Sequence, residues 1–356
     1  MKRFKRIAKI IGPLLVLAIF IGAVLLLRHS LQKYTWHTIV EDMRRTSWAQ
    51  IFAAFGLSVV GYVILVGYDF LALRFVQQKL PLYKIALASF ISYAFSYNFG
   101  ATLAGAPIRY RLYAGWKVPA LKIVELLVIL GLTLWFGLFF LAGVLFTFDP
   151  LTIPAELLHK LAHHHIHLPT KDFRFAGIIL LITAMSYIGL AAFFQGHIKM
   201  WKWNIPVPPF RLTLYQYIIS TADFIVAAGV LYVLLPPGGG VNFALVLEVY
   251  ILAYVVEVIS HSPYGVFDAM VIGLLPGDVG ELAAVILLFR VIYRLGPVLL
   301  AAGLLGLNEL LLRRAGLSQV LHAVENLPHP HGHAHPQATP PTTPEKGDAA
   351  PQSEGS

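Results

Sequence analysis

Two pairs of arginines carry the chemistry this sequence offers most plainly. Arg109 and Arg111 follow a run of small residues, Gly100-Ala-Thr-Leu-Ala-Gly-Ala-Pro107, and Arg290 and Arg294 stand in a stretch that is otherwise almost wholly apolar. A guanidinium is always charged, and its planar fork of N–H donors fits phosphate oxygens two at a time, so arginines sharing a helix face make a phosphate grip. Arg290 and Arg294 have the i,i+4 spacing that places them on one face, as do Glu257 and His261. Carboxylates in equally apolar surroundings, Asp69, Glu125, Asp223, Glu248, Glu257 and Asp268, supply the complement. Of these, Asp69, Asp223, Glu257 and Asp268 could balance the arginines or carry protons, while Glu125 opens the apolar run at 122–148 and Glu248 and Glu257 flank the run at 243–261. Pairing of the arginines with Asp268, Glu257 or Asp223 merely to neutralise the interior is an equal reading, and the two roles are compatible.

These groups stand where charge is costly. The chain has 356 residues, 58% hydrophobic and 13% charged, with a mean hydropathy of +0.72, far from soluble-domain composition. Apolar runs near residues 8–27, 48–70, 84–103, 122–148, 175–195, 212–235, 243–261 and 281–312, with a shorter piece at 264–275, compare with the ~20 residues a helix needs to cross a ~30 Å hydrocarbon core. The alternation of a transmembrane barrel is absent. The expected fold class is all-α: a polytopic transmembrane helical bundle of about eight helices with re-entrant or broken helices. An ionisable side chain at that depth costs several kcal/mol unless paired or hydrated. Asp69, late in the second span, is therefore the expected partner of Arg109, with an interfacial, solvated Asp69 as the alternative. Asp223, near the middle of its span, must face the interior, a cavity or a cation.

Two segments read as broken helices: Gly100 to Pro107, with Gly105 inside it, and Ser262-Pro263-Tyr264-Gly265. Irregular backbone survives in hydrocarbon only inside protein or beside a wet cavity, and half-helices lining a midplane site recur in transporters. Turns between ordinary helices use the same letters. Leu295-Gly296-Pro297 predicts two half-helices or one kinked helix.

Basic residues orient the chain, because short Lys- and Arg-rich loops favour the cytoplasm. Lys2 to Lys9 place the N-terminus inside, followed by an uncleaved anchor from Ile10 to Leu27, and two crossings bring Arg74, Lys79 and Lys84 back inside. A plain third crossing would put Arg109, Arg111, Lys117 and Lys122 outside; a re-entrant hairpin through 84–108 keeps them inside, along with Lys199, Lys202 and Arg211. Arg313 and Arg314 argue for a cytoplasmic C-terminus. After about residue 326 the composition turns to Pro, His, Ala, Thr and Gly, giving a polar, disordered tail over 315–356 behind a membrane domain over 1–314.

Several function classes drop out. The net charge of +9 lies in short clusters between apolar spans and suits anionic lipid head groups, not nucleic acid. There is no cysteine, hence no disulfide or thiolate chemistry. The His159–His167 loop and the alternating His329 to His335 read as solvated polar segments, and no metal site or cofactor is expected. No G-x-x-x-x-G-K-[ST], H-E-x-x-H or G-x-S-x-G motif occurs, and an enzyme is not expected.

The chain resembles the lysylphosphatidylglycerol synthase transmembrane family, the flippase-like membrane region found in bacterial multiple peptide resistance factors and in stand-alone membrane proteins. Residues 10–312 carry the likeness: Tyr68-Asp69, Ser92-Tyr93 through Asn98 and Gly100, Arg109-Tyr110-Arg111-Leu112-Tyr113, Ile259-Ser260-His261 to Asp268, and Arg290 with Tyr293, Arg294 and Pro297. Where the family motif has a proline, two glycines, an apolar residue and a glycine before a glutamate, this chain has Pro263-Tyr264-Gly265-Val266-Phe267-Asp268, which keeps the charge with a stiffer backbone. The resemblance implies movement of a phospholipid between leaflets of the bacterial inner membrane, for instance an aminoacylated phosphatidylglycerol. It does not imply synthesis, since the synthase is a separate soluble domain and only a polar tail stands in its place. On this reading Arg109, Arg111, Arg290 and Arg294 engage the lipid phosphate, and Asp69, Asp223, Glu257 and Asp268 balance them or couple protons. Gly100, Gly105, Pro107, Pro263 and Gly265 break the helices. A homo-oligomer, or a separate lipid-modifying transferase as partner, is compatible with it. The alternative is a non-transporting membrane partner that docks or presents lipid to such a transferase.

Overall fold

The computed structural model describes residues 46–149, 173–194, 196–200, 203–237, 240–260 and 265–307. The anchor at 10–27, the His159–His167 loop, Lys202, His261, Pro263 and the segment from 308 onward lie outside these residues. Ser47 opens α1 (Trp48–Phe75) with a capping box: its Oγ accepts from the Gln50 N–H, and the Gln50 side chain accepts from the Ser47 N–H. Pro81 stands directly before α2 (Leu82–Phe99). Gly100, at φ 86°, stops that helix, and a π turn (Ala101–Gly105) leads into α3 (Ala106–Gly115) with Pro107 in its first turn. Few residues other than glycine adopt such a φ, and proline fits the first helical turn because no N–H is owed there. Pro119 precedes α4 (Ala120–Phe148), and α5 (Arg174–Phe193) follows. A short antiparallel ribbon, β1 (Gly196–Met200) with β2 (Trp203–Val207), then leads to Pro209 and α6 (Phe210–Leu234). This ribbon is a small addition to an all-α helical chain of the expected class; polar and apolar residues alternate along β1, the period of a strand.

Next come α7 (Phe243–Ser260) and α8 (Val266–Leu274), the latter starting after Gly265 at φ 90°. Asp278 caps α9 (Val279–Leu307), accepting from the N–H groups of Gly280 and Glu281. Among the described residues α1, α4, α5, α6 and α9 are long and apolar enough to cross a membrane. Their outward faces carry large exposed apolar side chains such as Phe52, Phe55, Val63 and Ile182, as lipid contact requires. Small residues let the helices approach closely. A Cβ on Gly143 would lie 2.7 Å from the Leu181 N, and one on Gly177 would lie 2.8 Å from the Phe146 carbonyl carbon, so α4 and α5 pack backbone to backbone.

The order of helix lengths repeats. From α1 to α4 it runs 28, 18, 10 and 29 residues; from α6 to α9 it runs 25, 18, 9 and 29. In both halves a long helix precedes a hairpin of two shorter ones, and a second long helix follows. Lys84, in the first turn of α2, sits 5.6 Å from the Trp116 ring just past the end of α3. The base of that hairpin therefore closes on one side, as the re-entrant expectation requires. In the second half α8 doubles back along α7, with Phe267 packed on Tyr250 at 5.6 Å. Gln50, at the start of α1, donates to the carbonyls of Val233 and Leu235 at the end of α6, each at 3.0 Å. The helices that open the two halves thus run antiparallel, so the halves are inverted and their hairpins come in from opposite sides.

The Gly296-Pro297 kink takes a particular form. α9 stays one helix but contains a π turn, Arg290–Leu295, closed by the Gly296 N–H on the Val291 carbonyl. Proline leaves a carbonyl of the preceding turn without its donor, and side chains from the other half fill in. The Ser58 Oγ donates to the Ile292 carbonyl at 3.4 Å, the Tyr62 hydroxyl to that of Tyr293 at 3.2 Å, and the Asn98 Nδ2 to that of Arg294 at 3.0 Å.

Candidate functional site: arginine–carboxylate pairs around a buried aspartate

Each hairpin organises its own apolar core, and the two cores meet at Tyr97 and Leu134, which pack against both. The buried charged residues predicted for the site are distributed over the helices around these two cores.

In the first half, α3 runs antiparallel to α2 because the break at Gly100 turns the chain, and Gly105 permits the close return: a Cβ there would run into the Ser96 Oγ. This places Arg109 and Tyr113, one turn apart, on the face toward α1. Asp69 is fully buried and accepts three bonds: Arg109 Nε to Oδ1 at 2.9 Å, Arg109 Nη2 to Oδ2 at 3.0 Å, and the Tyr113 hydroxyl to Oδ1 at 2.7 Å. The expected Asp69–Arg109 pairing is met in the bidentate form. The Arg109 guanidinium also lies over the Tyr93 ring at 4.6 Å, where a cation meets the negative face of the aromatic system. Arg111, two residues on, falls on the exposed face of α3, away from this group.

In the second half, both arginines of the π turn are buried and take carboxylates from different helices. Arg294 Nη1 and Nη2 donate to Glu257 Oε1 and Oε2 on α7 at 2.6 and 2.8 Å. Arg290 Nη2 donates to Asp268 Oδ1 on α8 at 2.8 Å. The Arg294 guanidinium lies 5.0 Å from the centre of the Phe267 ring. Asp268 is the most open carboxylate of the set, its side chain 21% exposed. Glu257 and Asp268 thus tie α9 to both α7 and α8.

Asp223 lies between the two groups and has no cationic partner among the described residues. Its Oδ2 accepts from the Tyr68 hydroxyl at 3.1 Å, while Oδ1 is buried without a hydrogen bond. A small void lies against it, lined also by Tyr97, Leu134, Phe224, Ala227, Tyr250 and Tyr254 and offering about 10 Å³ to the centre of a water molecule, the scale of a single water site. Tyr68 and Asp69 are adjacent in sequence, so one turn of α1 holds Asp223 with one side chain and Arg109 with the next.

Sequence reasoning missed two features. One is the ring of tyrosines along the seam: Tyr62, Tyr97 and Tyr293 pack on one another with centroids 5.5–6.4 Å apart. Its signal was the i,i+4 recurrence of tyrosine at 93 and 97 and at 250 and 254 inside apolar spans. The other is Glu248, which the sequence places as a flank of its span but which is buried, with its Oε1 unbonded.

Comparison with known proteins adds the lineage. No protein-family model matches the chain. It is 33% identical over 323 residues to the uncharacterized protein slr0712 of Synechocystis, covering 88% of this chain and 96% of that protein. It is 31% identical over 288 residues to the inner membrane protein YbhN of Escherichia coli, covering 79% of this chain and 87% of YbhN. The chain belongs to the YbhN family. Coverage of that extent on both proteins is a match of the helical bundle as a whole, and the five spanning-length helices make this family member a multi-pass membrane protein.

Proposed function

We propose that this protein is a flippase-like lipid translocator of the bacterial inner membrane, a stand-alone relative of the lysylphosphatidylglycerol synthase transmembrane family. The observation that carries this reading is the meeting of two inverted broken-helix hairpins at buried arginine–carboxylate pairs. Broken helices from inverted repeats commonly form a transporter's midplane site, and guanidinium is the side chain best matched to a phosphate. Each carboxylate keeps its arginine charged and aimed while the site is unloaded. A lipid phosphate then takes over donors that the carboxylate held, so charge is exchanged and no bare ion is left in the interior. The Arg290–Asp268 pair, with the more exposed carboxylate, is the natural first contact. Arg109 and Arg294 act deeper, and the exposed Arg111 meets head groups near the base of its hairpin. Such exchange forms no covalent bond, which is why the reading is a carrier and not an enzyme. The resemblance favours a phosphatidylglycerol derivative, possessing one phosphate and a head group that carries an amino acid. The basic residues Arg74, Lys79, Lys84, Lys117 and Lys122 put the base of the first hairpin on the cytoplasmic side, with both termini on that side too.

The test is head-group translocation in proteoliposomes containing anionic phospholipids. Wild type is expected to move lipid between leaflets and Arg109→Ala to lose that movement. Absence of movement for every lipid, in wild type and variant alike, would sink the reading. A lipid-modifying transferase that co-purifies with such an inactive protein would favour the docking alternative.

A further inference from the structure

We infer that Asp223 is the protonatable seat through which the bundle is driven by a proton gradient, a step that rests on the carrier reading and supplies its missing energy source. The three deep arginines each have a carboxylate of their own, so the pairs Arg109–Asp69, Arg290–Asp268 and Arg294–Glu257 leave no cation for Asp223 among the described residues. It is 4% exposed, with Oδ1 unbonded and beside a void sized for one small guest. A carboxylate in that position is stable only if it binds a cation or a proton.

The groups that face it favour the proton. From α1 come Tyr68, bonded to Oδ2, and Tyr62; from α2, Tyr93 and Tyr97. From α7 come Tyr250 and Tyr254, and from α9 Tyr293, while α4 presents Leu134. These phenols can pass a proton by exchanging donor and acceptor roles, but they offer few of the anionic or carbonyl oxygens that a dehydrated metal cation requires. The Thr221 Oγ1 is also buried without a hydrogen bond, which adds a second unused polar atom to the Asp223 turn of α6. The proton binds at Oδ1, making a neutral carboxyl, and leaves from the same oxygen; only that O–H bond forms and breaks.

Position gives the site its coupling. The void lies where the two hairpin cores meet, so any movement of one half against the other changes its surroundings. A charged Asp223 resists a dry, closed seam and a protonated one permits it. Binding and release of one proton thereby biases two arrangements of the bundle.

The proton site can be read without any lipid. Infrared spectra of the detergent-purified full chain, recorded across pH, are expected to show the C=O stretch of a protonated carboxyl that titrates. That band should vanish in Asp223→Asn and reappear at a displaced frequency in Asp223→Glu, the variant that retains the group should the amide fail to fold. In proteoliposomes, lipid movement should follow an imposed pH gradient in wild type, lose that dependence in Asp223→Asn, and ignore a sodium gradient at fixed pH. No titrating band assignable to Asp223, or movement driven by sodium and indifferent to the pH gradient, would overturn the inference. An Asp223 band in a protein that moves no lipid would overturn the carrier reading while upholding the proton seat.

Discussion

Whether Arg109 serves the ligand or only Asp69 can be decided by a double-mutant cycle. Asp69 is fully buried and holds two of its three hydrogen bonds from Arg109, at 2.9 and 3.0 Å. Arg109→Met leaves a buried carboxylate with the Tyr113 hydroxyl alone, and Asp69→Asn leaves a buried guanidinium facing an amide. Removing one partner of a buried pair costs about 3–5 kcal/mol. At ~2–4 °C per kcal/mol for a chain of this class, each single variant should melt roughly 10 °C below wild type. The double variant buries no charge at this position and should return to within ~1–2 kcal/mol of wild type, because exchanging a whole buried ion pair for uncharged groups of similar volume is often close to neutral. Tm in detergent, read from intrinsic fluorescence, measures the first half of the cycle. Translocation in proteoliposomes measures the second. If Arg109 takes over a lipid phosphate, the double variant regains its Tm and stays inactive. A double variant that recovers both stability and translocation would refute the phosphate role and reduce Arg109 to a counter-ion.

Two further predictions follow from the hairpins. Gly105→Ala forces a Cβ onto the Ser96 side chain and to 3.2 Å from the Ser92 carbonyl, so it should cost about 1–3 kcal/mol, as overpacking does, read as a lower Tm that Ser96→Ala recovers in part. The chain contains no native cysteine, so Lys79→Cys and Lys117→Cys should react with a membrane-impermeant thiol reagent from one side of the membrane and Pro276→Cys from the other; labelling of all three from one side would refute the inverted arrangement.

The sequence exposes the parts of this site that are chemically scarce. Charged residues in apolar spans are rare, so Asp69, Arg109, Arg290 and Arg294 stand out without a structure, and the conflict of basic residues at 109–122 with a third crossing pointed to the hairpin. Partner choice was less legible. Arg290 and Arg294 looked like one face of one α-helix, but the π turn adds a residue to the ring, and they reach Asp268 and Glu257 on different helices. Nothing local encodes that turn except Pro297, whose letters equally spell a break. The inversion was hidden for another reason: the halves match in the lengths and order of their helices, a likeness that charge and hydropathy do not display. The tyrosine seam was hidden because a tyrosine in an apolar span reads as ordinary core.

The kinds of bond within and between the halves bear on how the protein could move. The arginine–carboxylate pairs are each internal to one half: Arg109 with Asp69 in the first, Arg290 with Asp268 and Arg294 with Glu257 in the second. The bonds described across the seam come from neutral donors. Tyr68 reaches Asp223, Ser58, Tyr62 and Asn98 reach the π-turn carbonyls, and Gln216 reaches Thr133. A neutral hydrogen bond nets about 0.5–1.5 kcal/mol and one to an ionised carboxylate, as from Tyr68 to a charged Asp223, about 1.5–3 kcal/mol, against the ~3–5 kcal/mol lost when one member of a buried ion pair is removed. Rocking one half on the other therefore breaks the weaker set and leaves each half's ion pairs whole. The turn of helix that gives up three backbone acceptors, Ile292 to Arg294, is also the turn that carries Arg290 and Arg294. Sliding the seam would release those carbonyls and move both arginines together, which ties opening of the bundle to presentation of its phosphate donors.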